Sequence, residues 1–186
     1  MIHALIMTLL VLAASADAAT PPAISGAQPV AADAASGAEK VEAFSATFAD
    51  REALSGALEA AVASGEVEVL RAMAVSREEF RDLVWPTLPI ASKPKSNFTW
   101  EFVWSQHELR HESALRRIAT DFGGQDLEIV GFFARGETTD YGQFLIHREN
   151  YVEVVRPDGT RDQLRLFGSL LETDDGRFKI YSFIND

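Results

Sequence analysis

His107-Glu108-Leu109-Arg110-His111 is the stretch of this chain whose residue types and spacing spell a known chemistry. Residues four apart share a helix face, so the two imidazoles would stand together as metal ligands. Glu108 beside them would be the general base, as a zinc hydrolase needs to activate water. A third ligand would have to come from Glu128, Glu137, His147 or Glu149, which fall in segments that read as strands or turns. Arg110, Glu112, Arg116 and Arg117 surround the pair with the composition of a solvated face. The apolar stripe Leu109, Leu115, Ile118 and Phe122 defines the buried side, which His111, four residues before Leu115, can border, while His107 and Glu108 flank it on opposite sides. The preferred reading is therefore a wet helix with i, i+4 contacts that binds no metal and needs no cofactor. The zinc hydrolase through His107, Glu108 and His111 stands as the alternative.

Other chemistry is thinner. The chain has no G-x-S-x-G, no phosphate-cradling glycine loop and no acidic calcium loop, and Asp174-Asp175-Gly176 reads as a hairpin turn. It contains no cysteine, which excludes thiol catalysis, thiolate metal sites, disulfides and a lipid-modified cysteine. A formal charge of −11 repels phosphate backbones and anionic lipid, so no nucleic-acid partner is expected. Arg110, Arg116 and Arg117 form a local basic strip, read as a solvated helix face.

The elements that must position these residues begin with a leader. Ala4 to Ala14 is apolar for about 11 residues, roughly 16 Å as helix, too short for a hydrocarbon core of about 30 Å. Ala16-Asp17-Ala18 then offers a cleavage site, although Met1-Ile2-His3 has no Lys or Arg. Residues 1–18 are read as a signal peptide, 19–42 as a disordered tether rich in Ala, Pro, Ser and Gly, and 43–186 as one α+β domain. The domain is expected to be exported, periplasmic or secreted, with no membrane span.

Phe44, Phe48, Leu54, Leu58, Ala61 and Val62 predict an opening helix ended by Ser64-Gly65. A second helix covers Glu66 to Met73, and Ser76-Arg77-Glu78-Glu79 makes a capping box for a third that Pro86 and Pro89 end. Ser105 to Phe122 is a fourth, with Trp85, Trp100 and Trp104 as core anchors or, alternatively, an aromatic ligand platform. From Leu127 the period becomes two: Leu127–Ala134, Tyr141–His147, Tyr151–Val155, Gln163–Glu172 and Phe178–Ile184 read as an antiparallel meander. The fold class is therefore α+β, helices packed on a curved antiparallel sheet of four to six strands. One sheet face, carrying Phe167, Leu171, Tyr181 and Phe183, is expected to meet a second copy, a small apolar ligand or a protein partner.

This order resembles the nuclear transport factor 2-like superfamily. The resemblance rests on the opening helix followed by Ser64-Gly65-Glu66-Val67-Glu68-Val69-Leu70 and Ser76-Arg77-Glu78-Glu79-Phe80, and on the closing Gly176-Arg177-Phe178-Lys179-Ile180-Tyr181-Ser182-Phe183. It spans about residues 44–186 and implies a cone-shaped fold that often dimerises through its sheet. Enzymes of that superfamily place an Asp, His or Tyr inside the cone, for which Tyr141, His147, Tyr151 and Tyr181 are the candidates. The superfamily's functions are diverse, so the resemblance selects none. The sequence is read as an acidic, exported, non-enzymatic binding or interaction domain, homodimeric through its sheet. Besides the zinc hydrolase, a further alternative is an isomerase or dehydratase working in the cone with His147 or Tyr141 as catalytic group.

Overall fold

A computed structural model of the chain describes residues 40–93 and 98–184. The expected signal peptide and most of the tether lie outside the described residues. The fold is α+β, with helices preceding antiparallel strands.

Helix α1 spans Arg51–Ser64, and it starts there because the Asp50 side chain caps it, accepting from Ala53 N at 2.7 Å. The predicted helix beginning at Phe44 is thus too long. Residues 40–48 lie instead as a strap along the last strand: Phe48 and Phe178 exchange backbone hydrogen bonds of 2.7 and 2.8 Å. An unpaired strand edge attracts such cover, and this pairing outweighs helical periodicity for five residues.

Helix α2 is Val67–Ala72. The capping box forms as read: Glu79 N donates to Ser76 Oγ at 3.2 Å and Ser76 N to Glu79 Oε2 at 2.7 Å. It opens the short helix α3, Arg77–Glu79, which runs on as a π turn over Phe80–Val84 and a 3-10 turn over Trp85–Thr87. Helix α4 is Trp100–Phe122, capped by Thr99, so it begins a turn and a half before the predicted start. Trp104 is buried, and Trp85 and Trp100 pack against its cluster, so the tryptophans do anchor core.

The glycines that end α1 and α4 set how closely these helices converge. Gly65 caps α1 with φ 68°, and Gly124 N donates to Val62 O at 3.2 Å. A Cβ on Gly123 would lie 2.2 Å from Ala119 O and 3.1 Å from Gly65 Cα, both backbone atoms that cannot step aside. Gly123→Ala is therefore expected to destabilise the fold by about 2–3 kcal/mol, read as a lowered urea midpoint. A midpoint equal to the parent's would contradict this close approach.

Strands follow as β1 (Glu128–Ala134), β2 (Thr138–Asp140), β3 (Phe144–Arg148), β4 (Asn150–Val155), β5 (Arg161–Leu164), β6 (Ser169–Thr173) and β7 (Phe178–Ser182). They form two sheets, ordered β1-β4-β5 and β2-β3-β6-β7, where the sequence suggests one sheet of four to six strands. Both sheets come from the same ribbons, bent. Glu149 adopts φ 52° between β3 and β4, and the backbone ladder continues through the corner: Arg135 N to Glu149 O, Gly136 N to Arg148 O, Asn150 N to Gly168 O. Buried Asn150 pins the bend, its amide donating to His147 O at 2.7 Å and Gly168 O at 3.1 Å. The predicted single strand Gln163–Glu172 breaks at the same corner into β5 and β6.

Two apolar clusters flank the larger sheet. One joins α1, α2 and the C-terminal half of α4 to Val152, Val154, Leu170, Ile180 and Phe183. The other gathers Val75, Phe80, Val84 and Trp104 on Phe144, Ile146 and Leu171, with Tyr181 packed against it. Phe167, Leu171 and Phe183, read as an uncovered sheet face, are thus fully buried within one chain. The more open apolar face belongs to the smaller sheet, where Phe133 stacks on Tyr151 at 5.7 Å and Arg135 lies 4.4 Å above the Tyr151 ring.

Candidate functional site

Helix α4 turns His107 and His111 inward, opposite to the predicted wet face. Its buried stripe runs Trp104, His111, Ala114, Leu115 and Ile118, with His107 half-buried, while Leu109 is 71 % exposed. The reason is ring packing: Trp104 sits 5.2 Å from His107, His107 sits 5.4 Å from His111, and His111 meets the edge of Phe183 at 5.5 Å. Phe80 and Tyr181 flank His107 at 6.4 and 6.0 Å. These contacts stack the imidazoles into an aromatic column between α4 and the end of β7.

The column borders a cleft of about 400 Å³ between α2, the segment after it, α4 and β7. Ala72, Ala74, Val75 and Trp104 supply apolar wall, and Ser45, Ser76, Arg77, Glu108 and Lys179 supply polar groups. One side is tied shut by Arg71, whose Nε and Nη2 donate to the two Glu112 oxygens at 2.7 and 2.6 Å, joining α2 to α4. A further bond from Arg71 reaches Glu68. This forked pairing raises the Arg71 pKa and lowers that of Glu112.

Behind the cleft lies a buried ion pair, Lys179 Nζ to Glu79 Oε1 at 3.2 Å, with both side chains 2 % exposed. Ser45 completes it: its N–H and hydroxyl donate to Glu79 Oε1 at 2.6 and 2.9 Å, and its carbonyl accepts from Lys179 at 2.5 Å. The capping-box glutamate therefore has a second task, holding the strap and β7 together.

Two polar atoms beside the cleft are left over. Trp104 Nε1 and His111 Nδ1 are buried and have no hydrogen-bond partner among the described residues. Burial pushes the His111 pKa down to about 4, with Arg71 lowering it further against the raising effect of Glu112. The ring is thus neutral at ordinary pH and offers one donor and one acceptor nitrogen.

The other candidates lie elsewhere. His147 is on β3, on the face opposite to Phe144 and Ile146, and is held between Thr138 Oγ1 at 2.8 Å and Glu172 Oε2 at 2.9 Å. It does not line the cleft beside α4. Tyr141 stacks on Phe144 at 5.2 Å and shares with Tyr181 a cavity of about 20 Å³, room for one water. Burial pushes Tyr181 up to about 12, so it stays a neutral phenol. Tyr151 belongs to the outer face of the smaller sheet. Glu108 is exposed at the cleft rim.

Sequence reasoning missed Arg71, Arg77 and Lys179 as cleft components, and of the tryptophans offered as a ligand platform Trp104 alone lines the cleft. One signal was available: Trp104, His107, His111, Leu115, Ile118 and Phe122 recur at intervals of three and four once the imidazoles are counted with the apolar face. As a metal centre the pair is incomplete, because among the described residues no three His, Asp or Glu side chains form a group able to hold an ion.

No protein-family model, curated protein or solved structure matches this chain.

Proposed function

We propose that this chain is an exported binding domain that takes a small molecule in the cleft between α2 and α4, without catalysing a reaction on it. The observation that carries this reading is the pair of buried, partnerless polar atoms, Trp104 Nε1 and His111 Nδ1, on side chains that border a cleft of about 400 Å³. A buried donor left unsatisfied costs on the order of 1–3 kcal/mol, which a ligand atom entering between these rings would recover. Apolar and aromatic walls with a few convergent polar groups are the usual make-up of a small-molecule site, and the volume falls within the usual range.

Non-enzymatic binding is favoured because Arg71, Lys179 and His111 of the cleft are unsuited to acid–base work. Arg71 is held by Glu68 and Glu112, Lys179 by Glu79, and His111 is too weakly basic to act as a general base near neutral pH. The cleft also needs no second copy, since Phe167, Leu171 and Phe183, which carry the expectation of a homodimer, are buried within one chain.

The test is a titration of ¹⁵N-labelled protein with three ring compounds of similar size: benzyl alcohol, benzylamine and benzoate. At least one is expected to give saturable shifts of the Trp104 indole N–H and the His111 ring signals. A panel that moves neither at millimolar concentration would remove the cleft as a binding site.

A further inference from the structure

We propose that the ligand of the cleft is a small planar carboxylate, an inference that rests on the cleft being a binding site at all. The argument turns on which of its polar groups remain uncommitted. Arg71 spends its guanidinium on Glu112 and Glu68, and Lys179 donates to Glu79 and the Ser45 carbonyl. Arg77 differs. It is exposed at the rim, and its guanidinium lies over the Trp100 ring at 5.4 Å without a carboxylate partner among the described residues. A cation–π contact with an aromatic ring holds a guanidinium without using up its N–H donors.

The second donor is Trp104 Nε1, and its chemistry has one sense only. An indole N–H donates and never accepts, so what it lacks is an acceptor. His111 Nδ1, in a neutral ring, can serve either role. One obligatory donor and one uncommitted cation on the same cleft call for an oxygen-rich anion. A carboxylate matches the guanidinium fork with two parallel acceptors, which a neutral carbonyl does not.

The walls specify the rest of the molecule. Ala72, Ala74 and Val75 give apolar lining, and the rings of Trp104 and His107, 5.2 Å apart and tilted by 30°, give aromatic lining. A flat apolar body fits against such surfaces with little entropy to lose.

The experiment compares benzoate, benzylamine and benzyl alcohol by the same ¹⁵N titration in the parent, in Arg77→Gln and in Arg117→Gln, the last an exposed arginine that does not line the cleft. Benzoate is expected to bind tightest. Arg77→Gln is expected to weaken it about five- to tenfold while leaving benzyl alcohol within twofold, and Arg117→Gln is expected to change neither. Tighter binding of benzylamine or benzyl alcohol would overturn the carboxylate and leave the cleft as a site. Equal benzoate affinity in parent and Arg77→Gln would overturn it too. Failure of all three probes would remove the site and its ligand together.

Discussion

Glu79→Gln is expected to lower the stability of the fold by about 3–5 kcal/mol, the largest effect of any single substitution considered for this chain. The change keeps the shape of the side chain and removes its charge. Lys179 would then stay buried without a counter-ion, with only the Ser45 carbonyl and a neutral amide oxygen to accept from it. Burying a cation without its counter-ion is among the costliest single events in a core. Three further bonds weaken at once, from Ser45 N, Ser45 Oγ and Ser76 N, because a neutral amide is a poorer acceptor than a carboxylate. The strap over β7 depends on the same carboxylate, so proteolysis near residues 40–48 should accelerate along with the fall in urea midpoint. The double replacement Glu79→Leu with Lys179→Met should be far milder than the single one, since it removes both desolvated charges. A single variant within about 1 kcal/mol of the parent would show that the pair is not isolated from water.

Acid should cost the protein about 3 kcal/mol between pH 6.5 and 4, through one residue. His111 takes up its proton near 6.5 when unfolded and only near 4 when folded, because burial disfavours the imidazolium. Within that window the unfolded chain binds more protons than the folded one, so stability rises with pH. The contribution is complete above about 6.5, declines as pH falls, and is gone below about 4, where both states are protonated. Carboxylates held low by arginines add their losses further down: Asp82, at about 2 beside Arg81, weakens the fold only in stronger acid. His111→Phe keeps a ring against Phe183 and removes the titration, so its urea midpoint should be flat from pH 7 to 4.5 while the parent's falls. The same slope in both proteins would assign the loss to another group.

These two effects lie close together in space, and this bears on the proposed site. Lys179 of the buried pair lines the cleft, with Glu79 behind it, and so does His111. The groups that cost most to bury therefore surround the place where a ligand would enter. A carboxylate that reached Trp104 would offset part of that cost, so thermal stabilisation by benzoate should accompany its binding.

Much of the local structure was legible from the sequence. Ser76 with Glu79 announces a helix start, Pro157-Asp158-Gly159 and Asp174-Asp175-Gly176 announce hairpins, and Gly65 announces a helix end, because each depends on atoms within a few residues. The switch from a period of 3.6 to a period of 2 after Gly124 marks the change from helices to strands. The α+β class follows from that order alone, as does the lack of any helix, among the described residues, long and apolar enough to cross a membrane.

What only the tertiary structure decided concerns partners distant in the chain. Phe44 to Phe48 satisfy a helical pattern, but β7 offers them backbone donors and acceptors that a helix start cannot match. Leu109 fits an apolar stripe and is exposed, because the aromatic column of Phe80, Trp104, Tyr181 and Phe183 draws α4 round to its histidine side. The His-Glu-x-x-His spacing fixes that both imidazoles share a face, since that is helix geometry. Whether that face meets water or core depends on residues up to about 76 positions away, whose packing no local pattern contains.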